Sequence, residues 1–217
     1  MTRGMVRTGA IATAGIFLLA GCGGGGGGDS SNKIKGADGA SHSATPSPSA
    51  SSSGVKRPEI TLPSSAKNVF EGEHTGDPKK DSVLADNARM VNSLDDAIFR
   101  GKEFTSAIGL YNTGPALRSA TDYVKDWVKD RDTWVGTTRY YDRKVTFLKD
   151  GSAAVTYCGD ESKAFTKSGK TGKVDRSLPS DPSVGYVLYN SRLVKSHAGV
   201  WQTIGFASKS GAEQCQP

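Results

Sequence analysis

Arg139-Tyr140-Tyr141-Asp142-Arg143-Lys144-Val145-Thr146-Phe147-Leu148 is the stretch on which the fold turns. Arg139, Tyr141, Arg143, Val145 and Phe147 alternate with Tyr140, Asp142, Lys144, Thr146 and Leu148, and a period of two is the mark of a strand. Asp150-Gly151 follows, a pair that tolerates the positive φ angles of a tight hairpin. Ala153, Val155 and Tyr157 carry the returning strand, which is expected to end near Cys158. A polar stretch containing Gly169, Gly172, Pro179 and Pro182 predicts a loop. Residues 184–194 read as another strand, His197-Ala198-Gly199 as a turn, and 200–207 as the last strand.

Upstream of Gly136 the period is close to four. Asp77 is a good helix cap and Pro78 suits the first helical position. Val83, Leu84, Ala88, Val91, Leu94, Ala97 and Ile98 then recur at three and four, and Gly101 stands where a glycine ends a helix. A shorter helix is expected over 105–111. A third opens at Pro115, with Leu117, Ala120, Tyr123, Val124, Trp127 and Val128 on one face. Helices followed by an antiparallel meander predict an α+β domain over 66–217, its helices packed on one face of a curled antiparallel sheet. Between 55 and 76 the apolar points Pro58, Ile60, Leu62, Pro63, Val69 and Phe70 are sparse, which suits either an extended arm or a mobile segment.

The N-terminus has a different chemistry. Arg3 and Arg7 precede an apolar run from Ile11 to Leu19, too short to span a bilayer, and Leu19-Ala20-Gly21-Cys22 follows. A charged start, a short apolar run and a small-residue cleavage point read as a secretory signal over 1–21. Cys22 after Leu-Ala-Gly resembles the lipobox of bacterial lipoproteins. That resemblance implies cleavage before Cys22, acylation of its thiol and an anchor in the cell membrane, with the domain on the extracytoplasmic face. Residues 22–65, opening with the glycine run 23–28 and continuing rich in Ser, Pro and Ala, predict a disordered tether.

With Cys22 acylated, Cys158 and Cys215 are left in an oxidising compartment, where a disulfide between them is the expectation. The formal charge of +6 falls by two once Arg3 and Arg7 are removed. A modest basic excess suits a surface facing anionic lipid headgroups or acidic wall polymers and equally suits nothing in particular. For an exported, tethered chain nucleic acid is not expected as a partner; the membrane through the anchor and an envelope protein or small ligand are.

Asp77-Pro78-Lys79-Lys80-Asp81, Arg139-Tyr140-Tyr141-Asp142, Tyr157-Cys158, Asp160-Glu161-Ser162 and Gly199-Val200-Trp201-Gln202 together resemble a group of actinobacterial lipoproteins with an NTF2-like folded part. The resemblance spans about residues 77–217. It implies a cone-shaped α+β fold, a curled sheet wrapped around helices with a pocket between them. It implies no activity, because this fold carries isomerases, hydratases, binders and interaction modules alike.

Candidate chemistry is sparse. His42, His74 and His197 fall in the tether, before the first helix and in a turn, none suited to a buried base. Asp95, Asp126 and Asp150 read as polar-face or turn residues. Ser168-Gly169-Lys170-Thr171 lacks the earlier glycine of a phosphate loop, with Ala164 in its place. No metal-ligand or cofactor motif is present, so neither metal nor cofactor is expected. Tyr111, Tyr123, Trp127, Tyr141, Tyr157, Tyr186 and Trp201 are the candidates for pocket lining or core. Arg139, Arg143 or Arg192 near a cone mouth would suit an anionic ligand. Lys163, Lys167, Lys170, Lys173 and Arg176 predict a basic protruding loop able to meet anionic lipid, wall polymer or an acidic partner. The leading functional expectation is a non-catalytic binding or interaction module, with an NTF2-like isomerase or hydratase as the alternative.

Overall fold

The computed structural model describes residues 55–217. The expected signal segment, Cys22 and the tether as far as residue 54 lie outside these residues. The chain order is β1 (Ala66–Phe70), α1 (Pro78–Phe99), α2 (Ser106–Tyr111), α3 (Gly114–Asp130), β2 (Thr133–Phe147), β3 (Ala153–Lys167), β4 (Tyr186–Lys195) and β5 (Trp201–Ser210). Short 3-10 turns occupy Pro182–Gly185 and Glu213–Cys215.

Local chemistry sets the helix ends. The Asp77 carboxylate accepts from the N–H groups of Lys79 and Lys80, satisfying two of the orphan donors at the start of α1, where Pro78 has no N–H to satisfy. Thr105 does the same for Ile108 in α2, and Arg131 closes α3 in the left-handed region at φ 57°. Val83, Leu84, Val91, Leu94 and Ile98 of α1 pack into the main core with Val124 and Trp127 of α3 and the inner face of the sheet.

Helix α1 is buried on more than its apolar stripe. Asn87 and Ser93 are also buried, and so are Asp86, Asp95 and Asp96, the three carboxylates because chain from ahead of the helix covers its second face. Residues 55–65 run along it as an extended arm. Val55 and Ile60 pack against the core, Arg57 pairs with Asp86, and the Thr61 N–H donates to Asp96 at 3.0 Å. The folded body therefore begins ahead of the expected boundary at residue 66.

The sheet has five strands in the order β1-β2-β3-β4-β5. It is mixed where an antiparallel meander was expected. Strands β2 to β5 are antiparallel neighbours, but β1 lies parallel to β2, from Ala66 opposite Gly136 to Phe70 opposite Tyr140. With only five residues, β1 has too little alternation to read as a strand, and its partner supplies what it lacks: Phe70 stacks on Tyr140 at 4.8 Å. Irregularities between Thr137 and Arg139, Tyr141 and Lys144, and Arg192 and Leu193 interrupt the register, and bulges of this kind bend and twist strands.

Strand β3 continues far past Cys158, to Lys167. Asp160-Glu161-Ser162, beyond the expected end near Cys158, is strand. Lys163 and Lys167 lie on β3 opposite Thr137 and Thr133 rather than in a loop. Only Lys170, Lys173 and Arg176 of the expected basic loop remain outside regular structure.

Candidate functional site

The site builds up where α1 and α3 cross the inner face of the sheet. Along β3, Tyr157, Gly159 and Glu161 face inward. A Cβ on Gly159 would stand 2.7 Å from the Tyr189 ring and 3.5 Å from the Tyr140 ring, so the absence of a side chain there lets both tyrosines close over the strand. Tyr157 stacks on Tyr189 at 5.0 Å, and Tyr140 meets both at 5.9 and 6.1 Å. Phe206 of β5 adds a ring 5.7 Å from Tyr189.

These rings leave a void of about 20 Å³, lined by Val91, Leu94, Asp95, Tyr123, Tyr140, Tyr157, Glu161, Tyr189 and Phe206. That is room for little more than one water molecule. The cone expected between helices and sheet is present, and it is filled by its own aromatic side chains.

Two carboxylates face this void. Asp95, expected on a polar helix face, is buried and accepts from the Trp134 indole N–H at 3.1 Å and the Asn68 amide at 2.6 Å. Glu161 is buried and accepts from the Tyr189 hydroxyl. Burial, reinforced by the Glu161 charge, raises the Tyr189 phenol well above its ordinary range. Burial likewise pushes the Tyr157 phenol up to about 12. Both phenols therefore stay protonated as hydrogen-bond donors, and Glu161 with Tyr189 forms a carboxylate–phenol pair in an apolar wall.

Of the seven aromatics expected to line a pocket or form core, Tyr123 and Tyr157 line the void. Tyr111, Trp127 and Trp201 are core: the Tyr111 hydroxyl accepts from Arg57 at 3.0 Å, and the Trp201 indole donates to Ser82 at 3.2 Å. Tyr141 and Tyr186 are on the opposite side of the sheet, packed against the disulfide. The reason is a bulge at Asp142, where φ is 50°. Ahead of it Trp134, Thr138 and Tyr140 are the buried positions, and after it Arg143 is. The strict alternation that paired Tyr141 with Arg143, Val145 and Phe147 thus breaks in the middle of β2. Tyr140, Tyr189, Phe206, Asp95 and Glu161 were missed, and only the inward phase of each strand would have marked them.

Cys158 and Cys215 are joined as a disulfide, with Cα atoms 5.4 Å apart. It fastens the C-terminal turn to the outer face of β3, where the Tyr141 hydroxyl donates to the Cys215 carbonyl and the Arg139 guanidinium lies 4.3 Å from the Tyr141 ring centre. Among the basic residues, Lys170 approaches Asp130 at 3.9 Å and Arg176 stacks on Phe165 at 4.8 Å. Among the described residues no group of three His, Cys, Asp or Glu side chains is placed to hold a metal, and no helix is long and apolar enough to cross a membrane.

No protein-family model matches the chain. No curated protein matches it either. Among solved structures it is similar to a ketosteroid isomerase-like protein from Erwinia carotovora atroseptica, with 15% identity and a TM-score of 0.40, over 62% of this chain and 97% of that one. It is also similar to ActVI-ORFA from Streptomyces coelicolor (14% identity, TM-score 0.38, 62% and 98% covered) and to Aln2 from another Streptomyces strain (15%, 0.37, 62% and 92%).

Proposed function

We propose that this chain is a lipoprotein anchored through Cys22 on the extracytoplasmic face of the cell membrane, and that its NTF2-like body is a non-catalytic binding or interaction module. The observation that carries the non-catalytic reading is how little room the cone leaves. A void of about 20 Å³ walled by four tyrosines and Phe206 has no room for an organic substrate. Function then belongs to the surface, and an envelope protein or small ligand meets the domain there.

The anchor rests on Leu19-Ala20-Gly21-Cys22 after a short apolar run. The thiol at that position would carry the lipid, palmitate among its acyl chains, and two chains hold a protein on a membrane where one does not. Cys22→Ala is expected to move the protein from the membrane fraction to the soluble fraction. Retention of the variant in membranes, released only by detergent, would overturn the anchor.

A second reading is favoured by one feature, the Glu161–Tyr189 pair. A buried carboxylate beside a protonated phenol is a base and a hydrogen-bond donor within one apolar wall, the equipment of an isomerase or hydratase. Crystals exposed to xenon or soaked in a small phenol decide between the two. An empty cone leaves the interaction module standing; density beside Glu161 transfers the case to the enzyme, with Glu161→Gln as its activity control.

A further inference from the structure

Arg143 is buried with most of its hydrogen-bonding capacity unused. The Asp142 bulge turns it into the interior, where it is 7% exposed. One nitrogen, Nη2, donates to the Leu84 carbonyl at 2.6 Å, and the guanidinium lies 5.1 Å from the centre of the Phe70 ring. The other two, Nε and Nη1, have no acceptor, and they carry three of the five N–H donors of a guanidinium. Among the described residues no carboxylate forms an ion pair with it.

The neighbouring polar groups are in the same condition. The Tyr157 hydroxyl, the Asn87 amide and the Ser191 hydroxyl are all buried, and none makes a hydrogen bond of good geometry. Tyr157 stands across from the bulge, since Tyr141 pairs with Cys158 and Lys144 with Thr156. Asn87 is one helical turn beyond Leu84. Asn87 and Ser191 stand within hydrogen-bonding reach of the Tyr157 oxygen and the Arg143 charge acts on it, which puts the four groups in one cluster around the unsatisfied guanidinium. Each of the four can donate a hydrogen bond, and their charge is positive.

A guanidinium keeps its proton at any physiological pH. A buried charge without a partner is the costly case, and unpaired buried donors add to it. Water would satisfy the donors but leave the charge; an anion does both. Exposed chain begins next to the guanidinium, directly after Phe70. Residues 71–76, joining β1 to α1, are exposed throughout, and Gly72 and Gly76 take positive φ angles of 66° and 83° at the two ends of this segment. Glu73 in the same segment is the one carboxylate whose charge is felt at Arg143.

The geometry points to a binding site for a small anion, of halide or formate size, held by Arg143 with Tyr157 and Asn87 and reached beneath residues 71–76. Close packing limits the size, because the adjoining void at Tyr157 is itself only about 20 Å³. Glu73 competes for the same guanidinium, so the site is filled from solution or leans on its own chain. This goes beyond the proposed function: the site centres on Arg143, away from Cys22, and only Tyr157 is shared with the wall that holds the Glu161–Tyr189 pair.

Thermal unfolding of the full chain tests it, in sodium bromide, sodium formate and sodium gluconate at equal ionic strength. Gluconate is too large for the site. Bromide and formate are expected to raise the midpoint saturably by roughly 3 °C or more over gluconate. Arg143→Met should abolish the difference while melting higher than the parent in gluconate. Glu73→Gln should lower the half-saturating concentration about two- to fivefold, the range of an exposed charge effect, and Asn87→Ala should raise it. If Arg143→Met does not fold, the opposite shifts of Glu73→Gln and Asn87→Ala carry the test. Bromide-soaked crystals should show anomalous density at Arg143. Equal midpoints in the three salts, an Arg143→Met response equal to the parent's, or water alone at Arg143 in bromide would overturn the site.

Discussion

Replacing Arg57 with Met strikes the contact that ties the arm to the body. Arg57 Nη1 meets Asp86 Oδ1 at 2.5 Å, with side-chain exposures of 16% and 3%. The other Asp86 oxygen already accepts the Trp201 N–H at 2.9 Å, so the carboxylate is held between the arm and the start of β5. Without the guanidinium, Asp86 keeps a buried charge with one hydrogen bond and no counter-ion. Breaking a buried pair from one side costs about 3–5 kcal/mol. Arg57 is partly open to solvent, so water replaces some of what is lost and the low end applies, about 3 kcal/mol. At a urea dependence near 2 kcal/mol per molar, the midpoint falls by about 1.5 M. Tryptophan fluorescence reads the transition, since Trp127, Trp134 and Trp201 all lie in the core. Asp86→Asn alone strands Arg57, but the double variant strands neither charge, so it should lose at least about 1.5 kcal/mol less than the sum of the singles. A fall below about 0.5 kcal/mol for Arg57→Met, or strict additivity in the cycle, would refute the arm as part of the fold. A chain beginning at residue 66 should then be no less stable than one beginning at 55, whereas the contacts of Val55, Arg57, Ile60 and Thr61 require it to be weaker.

The disulfide and the buried phenols give two further tests. Cys158→Ser with Cys215→Ser opens a closure of 57 residues, and chain entropy puts the loss at about 4 kcal/mol; equal urea midpoints for the oxidised parent and the double variant would refute it. Tyr157 titrates near 12 in the folded chain against an ordinary value of 10.0. Its folded pKa is the raised one, so its contribution is complete below pH 10 and is lost as pH climbs toward 12, about 3 kcal/mol in all. Tyr157→Phe should flatten the loss of stability between pH 10 and 12, and an unchanged alkaline profile would count against burial as the cause.

The helices could be read because their signals are local. Asp77, Pro78 and Gly101 bracket α1, Thr105 caps α2 and Pro115 opens α3, each through its own backbone chemistry. The parallel strand β1 could not, since Ala66–Phe70 is a strand only because β2 offers an edge. Asp95 reads as a polar-face carboxylate, yet it is buried with Asp86 and Asp96, because Asn68, Arg57 and Thr61, about thirty residues upstream, come back to meet the three of them. The long run of β3 was hidden for a similar reason. Lys163 and Lys167 are unremarkable in a strand whose outer side is exposed, but a polar run reads as a loop when its partner is unknown.

The candidate site was hidden by one residue. Period two holds on each side of Asp142 and fails across it, because two residues of β2, Asp142 and Arg143, fill the interval opposite Tyr157. Asp142 is the extra one: it takes φ 50°, which Asp tolerates better than most side chains, and it stays outside the core. Deleting Asp142 would therefore leave every face as it is, with Tyr140, Arg143, Val145 and Phe147 still inward along an unbulged strand. Deleting Lys144, two positions on and exposed, keeps the bulge but reverses the phase of everything after it. Val145 and Phe147 would turn to solvent, and the Phe147 ring would leave its place 6.1 Å from Trp201. The first deletion is expected to fold with a cooperative urea transition and tryptophan emission like the parent's. The second should shift that transition far down in urea, because Val145 and Phe147 pack, partly buried, against the core and together contribute about 3 kcal/mol, a large share of a domain's stability. Two deletions of equal effect would mean that the bulge, and with it the inward turn of Arg143, does not govern which side chains reach the cone.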